Sequence, residues 1–146
     1  IVNFGGFSLE NYFHVQLDRQ AVGMVSALGL AHVGDGVFEL LVRTWLCCRG
    51  KAMPDALHKA TVRYVSAPAQ AARMDRMLPL LTEEELAYYK RGRNAHPRHG
   101  VPKAATHEQY AKASGLESLF GALYLLGRRD RINELFNLTM EEDHAL

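Results

Sequence analysis

The sequence is poor in the residues that staple or anchor a chain. Among 146 residues there are two cysteines and one tryptophan, and no uninterrupted apolar run approaches the roughly 18 residues of a membrane span. The start also lacks the basic end and apolar run of a secretory signal. A soluble cytoplasmic protein with no membrane partner is therefore expected, with an organelle such as a plastid as the alternative compartment. Cys47 and Cys48 are adjacent, so they can neither form a useful cross-link nor show zinc-ligand spacing. They are expected to be reduced core residues. Nor is there an excess of charge of one sign: the formal net charge is +1, so any attraction for a polyanion must be local. Strand signals are missing as well, because nowhere do four or more residues alternate cleanly between turn signals.

What is present is a chain 48% hydrophobic and 23% charged, which suits one compact domain with a real core. Helix signals recur along it, and the expected fold class is all-α. Ser26 can cap a helix running to about Cys48, with Gly50 as a stop. Pro54 and Asp55 open a second through about Tyr64. Ser66 with Pro68 opens a third that ends before Pro79. Thr82 with Glu85, and Thr106 with Gln109, each fit a capping box, for helices ending near Gly92 and at Leu126 before Gly127. A short last helix is expected over about Asp130 to Leu138. The organisation read from this is an N-terminal extension over 1–25, a helical domain over 26–138 and a tail over 139–146.

The stretch HVGDGVFELLVR, residues 32–43, places two carboxylates in an apolar segment. At 100° per residue, Leu30, Val33, Val37, Leu40, Leu41, Thr44 and Cys48 share a broad face, with more apolar residues around it, so the helix is expected to be nearly buried. His32, Asp35, Gly36, Glu39 and Arg43 form a narrow polar stripe. Gly29, Gly34 and Gly36 each cost about 1 kcal/mol relative to alanine in a helix interior. Close approach of another backbone near Asp35 would compensate.

A partner is available in KASGLESLFGALYLLG, residues 112–127, where Glu117 lies one turn from Gly121. If the two helices cross at their glycines, Asp35, Glu39 and Glu117 converge, and a divalent cation would relieve the clustered negative charge. Oxygen-only ligands suit Mg2+, for which Mn2+ can substitute. The plainer alternative is a solvated stripe with Glu39 paired to Arg43 at i+4, and Glu117 serving a subunit contact. His32 on the same stripe reads better as a histidine satisfied by carboxylates than as a ligand.

From Lys90 to Lys103 the chain reads KRGRNAHPRHGVPK, with five of the 17 Lys and Arg residues and no acid. Such a segment can engage phosphates with backbone amides and cationic side chains. Beside an acidic metal site it suits a polyanionic substrate, and metal-assisted phosphodiester chemistry becomes the leading reading. Arg91, Arg93, Asn94, Arg98 and Lys103 are the candidate contacts.

HVGDGVFELLVR resembles the signature helix of ribonuclease III domains, and GLESLFGALYL resembles that family's second acidic segment. The nearer likeness is to the short members, Mini-ribonuclease III. It extends through LHKATVRYVSAPAQA, LLTEEELAYYKRGRNA and VPK, in one order over roughly residues 26–138. The resemblance implies an all-α homodimer that cleaves double-stranded or structured RNA with Mg2+ and leaves a 5′-phosphate and a 3′-hydroxyl. It further implies a role in maturing ribosomal RNA precursors of the large subunit. By motif match Asp35 and Glu117 would be the catalytic, metal-holding carboxylates, with Glu39 a secondary ligand, and His58 and Lys59 would join the RNA-binding residues. Trp45, Tyr88 and Tyr89 would be packing or dimer residues.

There are departures. Where full-length ribonuclease III has a further acid one turn before each motif carboxylate, this chain has Ala31 and Ser114, a thinner set shared by the short family. Gly36 and Phe38 replace its commoner alanine and tyrosine. No double-stranded-RNA-binding domain follows the core in this sequence, so affinity is expected to depend on the dimer and its basic loops, and hence steeply on salt. Two other readings stand beside the nuclease: a non-cleaving RNA-binding or ribosome-assembly subunit, and a helical dimerisation domain with no nucleic-acid ligand.

Overall fold

The computed structural model describes residues 2–4, 7–50, 53–95 and 105–144. Two three-residue strands, β1 (Val2–Phe4) and β2 (Phe7–Leu9), pair antiparallel with Val2 opposite Leu9. Everything else regular among the described residues is helical: α1 (Arg19–Gly23), α2 (Ala27–Cys48), α3 (Pro54–Val65), α4 (Ala67–Met77), α5 (Glu83–Arg93), α6 (His107–Leu125) and α7 (Arg129–His144), with 3₁₀ turns at Tyr12–His14 and Leu78–Leu80. The all-α expectation holds. The strands are too short for alternation to register, and α1 is a single turn capped by Asp18.

Local chemistry explains the boundaries. The Ser26 hydroxyl accepts from the Gly29 amide, and the boxes at Thr82/Glu85 and Thr106/Gln109 are both closed. The end of α6 is a Schellman turn: Gly127, at φ +78°, donates to the Tyr124 carbonyl, and the Arg128 amide donates to that of Leu123. The last helix runs to His144, well past the expected Leu138.

The centre of the molecule is α6, which is buried nearly all round from Ala113 to Leu123, with α2, α4, α5 and α7 packed against it. Phe38 of α2 meets Phe120 of α6 and Phe136 of α7 edge-on, at ring-centroid distances of 5.9 and 6.1 Å. Tyr88 and Tyr89 are buried in the core, and Trp45 packs edge-on against Tyr64. At the far side Arg131 of α7 reaches the Glu85 carboxylate with Nε and Nη2 at 2.8 and 2.9 Å, and the Leu80 carbonyl at 2.7 Å. Burial would push Glu85 up, but the bonds from Arg131 and from the Thr82 backbone hold it below the usual carboxylate range.

Two expectations for α2 need correction. Its buried residues are only Leu30, Gly34, Phe38, Val42 and Leu46, a stripe at every fourth position, and Leu40 is 55% exposed. The helix is therefore not nearly buried: α6 covers one side and leaves Val33, Val37 and Leu40 on an open apolar face. Cys47 and Cys48 are free but exposed rather than in the core, because they lie off the stripe that ends at Leu46.

Candidate active site

The site arises where α2 crosses α6. A Cβ built on Gly34 would lie 1.6 Å from the Glu117 carbonyl oxygen, and one on Gly121 would lie 1.9 Å from that of Leu30. The two backbones touch through glycines facing each other, so only glycine fits on either side. Gly36 and Gly29 have no such role. Nothing lies within 4 Å of a Cβ on Gly36, and Gly29 meets only Ser26 and Val25 of its own turn.

Asp35 follows Gly34 on the exposed side of α2, and Glu117 is the residue whose carbonyl touches Gly34. Their carboxyl groups are consequently within hydrogen-bonding reach. Burial pushes the Glu117 carboxyl up to about 9, and the bond to Asp35 and its charge act in the same direction. A hydrogen bond from Gln70 of α4 opposes them. Without a cation, Glu117 therefore retains its proton at neutral pH. Two oxygen-donor side chains held together at a solvent-facing edge fit a hard divalent ion that keeps several of its waters.

Glu39 is not drawn into this pair. Its carboxylate meets the Arg43 guanidinium at 3.4 Å along the same helix, and among the described residues no three His, Cys, Asp or Glu side chains gather in one place. His32 is exposed on the stripe.

A second glycine crossing brings the basic end of α5 to the same helix. A Cβ on Gly92 would lie 2.4 Å from the Ser118 Cβ and 2.6 Å from the Ser114 carbonyl oxygen, the residues that bracket Glu117 along α6. The flanking arginines behave differently. Arg91 is half-buried and donates from Nη2 to the Val25 carbonyl at 2.8 Å, which makes it an anchor for the turn before α2. Arg93 is exposed, lies over the Tyr89 ring at 5.6 Å and donates to the Asn94 side chain at 3.2 Å. Exposed His58 and Lys59 line a surface depression on α3 with Arg63, one turn beyond Lys59. Arg98 and Lys103 lie outside the described residues.

Sequence reasoning passed over Gln70. The available signal was a glutamine in helical register with Met74 and Met77 on the inner face of α4, all three buried. Arg63 was legible from its spacing of four from Lys59.

A family model for the ribonuclease III domain matches residues 28–128. The Mini-ribonuclease 3 of Enterococcus faecalis is 44% identical over 115 residues, which span 77% of this chain and 86% of the relative. That of a Thermoanaerobacter species is 38% identical over 125 residues, spanning 86% and 87%. A crystal structure of a protein from Fusobacterium nucleatum superposes with a TM-score of 0.74 at 29% identity, covering 81% of this chain and 95% of that one. No helix among the described residues is long and apolar enough to cross a membrane. With this fold and match, the chain belongs to the ribonuclease III family of endoribonucleases, alongside the Mini-ribonuclease III proteins.

Proposed function

We propose that this endoribonuclease cleaves double-stranded RNA with Mg2+ held by Asp35 and Glu117, leaving a 5′-phosphate and a 3′-hydroxyl. The observation that carries the reading is the meeting of those two carboxyls across the Gly34–Gly121 crossing. When bound, the ion supplies Lewis acidity for in-line attack of water on the scissile phosphate and for departure of the 3′-oxygen. Asp35 and Glu117 hold their oxygens in fixed relative position because the helices cannot slide apart at touching glycines. Arg93 and Asn94 at the end of α5, with Arg98 and Lys103 beyond it, and His58 and Lys59 on α3 engage the phosphate backbone of the duplex. Arg91 acts on RNA through the position it gives the turn before α2. Glu39, now paired with Arg43, would be a secondary ligand for the ion.

The working unit we infer is a homodimer. An apolar groove of about 480 Å³ on the open side of α2, lined by Phe13, Val33, Val37, Leu40, Tyr124 and Ile132, supports it, since a second copy would cover what a single chain leaves exposed. The substrate class we infer is precursor ribosomal RNA of the large subunit, processed in the cytoplasm, as the resemblance to Mini-ribonuclease III implies.

The decisive experiment incubates the purified protein with a perfect RNA duplex, with Mg2+ or with chelator. Metal-dependent cutting should vanish in Asp35→Asn while duplex binding stays intact. Equal products from that variant would remove Asp35 from the chemistry. A second reading, a non-cleaving RNA-binding or ribosome-assembly subunit, is favoured by one observation: among the described residues only two carboxylates meet, with Ala31 and Ser114 one turn before them. Duplex binding without cutting at any Mg2+ concentration would select it.

A further inference from the structure

Gln70 is 2% exposed, and a buried amide has two donors and one acceptor to satisfy. One Nε2 hydrogen goes to the Val65 carbonyl at the end of α3, at 3.1 Å. The same amide lies beside the Glu117 carboxyl on α6, whose charged form it favours. The Val65 bond fixes which way the amide faces. Its Oε1, equally buried, has no donor among the described residues. An acceptor left in that state is costly unless a water reaches it, and a polar wall with a carboxylate beside it is where a water can stay.

We infer that Gln70 is a positioning residue of the active site: its Nε2 fixes the Glu117 carboxyl for the metal, and its Oε1 accepts from an ordered water beside the Asp35–Glu117 pair. The inference rests on the reading of Asp35 and Glu117 as the metal site and adds a third helix, α4, to it. The physical reason for an amide here is neutrality. A lysine or arginine would compete with the cation for Glu117, whereas an amide donates to the carboxylate and leaves its charge to the ion. The Val65 bond adds rigidity, since it ties the same amide to the α3–α4 turn. Gln70 touches neither the phosphate nor the ion, so its effect is expected on metal affinity and turnover rather than on RNA binding.

The test uses Gln70→Met, which keeps the bulk and removes every polar atom. Mn2+ affinity is measured by calorimetry on the protein alone, and kcat and KM on an RNA duplex. The expected result is Mn2+ binding about tenfold weaker or more, a matching fall in kcat at fixed Mg2+ and an unchanged KM. In the Glu117→Gln background the same change should add nothing further to the loss of Mn2+ affinity, which a merely structural role would not reproduce. If Gln70→Met folds and binds Mn2+ as the wild type does, while Glu117→Gln does not, the role of Gln70 is overturned and the metal site stands. If Glu117→Gln also binds normally, the site itself is wrong. Should Gln70→Met fail to fold, the side-chain amide resonances of Gln70 in the wild-type protein decide. They should shift on adding Mg2+ and again in Glu117→Gln, and resonances unmoved by both would overturn the proposal.

Discussion

The backbone carbonyl of Glu117 occupies the place a methyl group on Gly34 would need, with the oxygen 1.6 Å from that position. A side chain at Gly34 must therefore push α2 off α6 and carry Asp35 away from Glu117. Gly34→Ala is expected to cost about 3 kcal/mol, the upper part of the overpacking range because the obstruction is backbone, and to abolish metal-dependent cleavage. Gly36→Ala meets nothing within 4 Å and should gain up to about 1 kcal/mol of helix propensity. Thermal melts of the two variants side by side check the contrast.

The raised Glu117 carboxyl predicts how stability depends on pH without metal. The folded state holds this proton up to about 9, whereas an unfolded chain releases it near 4.5. Between those values the folded form binds more protons, so this contribution is complete below the unfolded value and is lost as pH rises through the folded one. Melts in chelator should show stability falling toward alkaline pH, with Glu117→Gln removing that slope. Mg2+ must displace the Glu117 proton, so its affinity should rise with pH, and calorimetry in two buffers of different ionisation enthalpy should detect proton release.

Arg91 and Arg93 should separate cleanly. Arg93→Ala and Lys59→Ala are each expected to weaken duplex binding and to reduce the slope of log affinity against log salt by about one, with little change in melting temperature. Arg91→Ala removes a charged donor from the Val25 carbonyl and should destabilise the fold by about 2 kcal/mol. Filter binding over a salt series, with melts of the same samples, measures both.

Glu85 is 3% exposed and takes two bonds from Arg131. Arg131→Ala strands that carboxylate and should cost about 3 kcal/mol, the low end for a broken buried pair because Arg131 itself is 24% exposed. Since Glu85 is held below its usual value, the stabilisation is present above the unfolded carboxylate range and is lost as pH falls through the folded one. Urea titrations of both proteins at neutral and acid pH test the cost and its sign.

Leu40, exposed on α2 at the edge of the apolar groove, tests the dimer. Leu40→Glu should leave the monomer fold intact and shift the protein to half its mass in analytical ultracentrifugation. A dimer of undiminished strength would place the subunit contact on another face.

The sequence by itself determined α2, α5 and α6, because their boundaries are set by chemistry within a few residues: a hydroxyl at Ser26, reciprocal caps at Thr82 and Thr106, a positive-φ glycine at 127. It also carried the acid-beside-glycine pattern that pointed to α2 meeting α6. Which glycine mattered was not legible. Gly29, Gly34 and Gly36 look alike in a helical pattern, and only the approach of another backbone distinguishes Gly34. The same limit explains Cys47, Cys48 and Leu40, apolar positions whose burial depended on which neighbours arrived, and Arg91, a basic residue that turned out to be tied to a carbonyl. Tertiary structure alone decided that Glu117 would be buried beside Asp35 and hold its proton, and that Gln70 would reach the site from a third helix. Burial and long-range contact are properties of the packed chain, and no periodicity along a single helix encodes its partner.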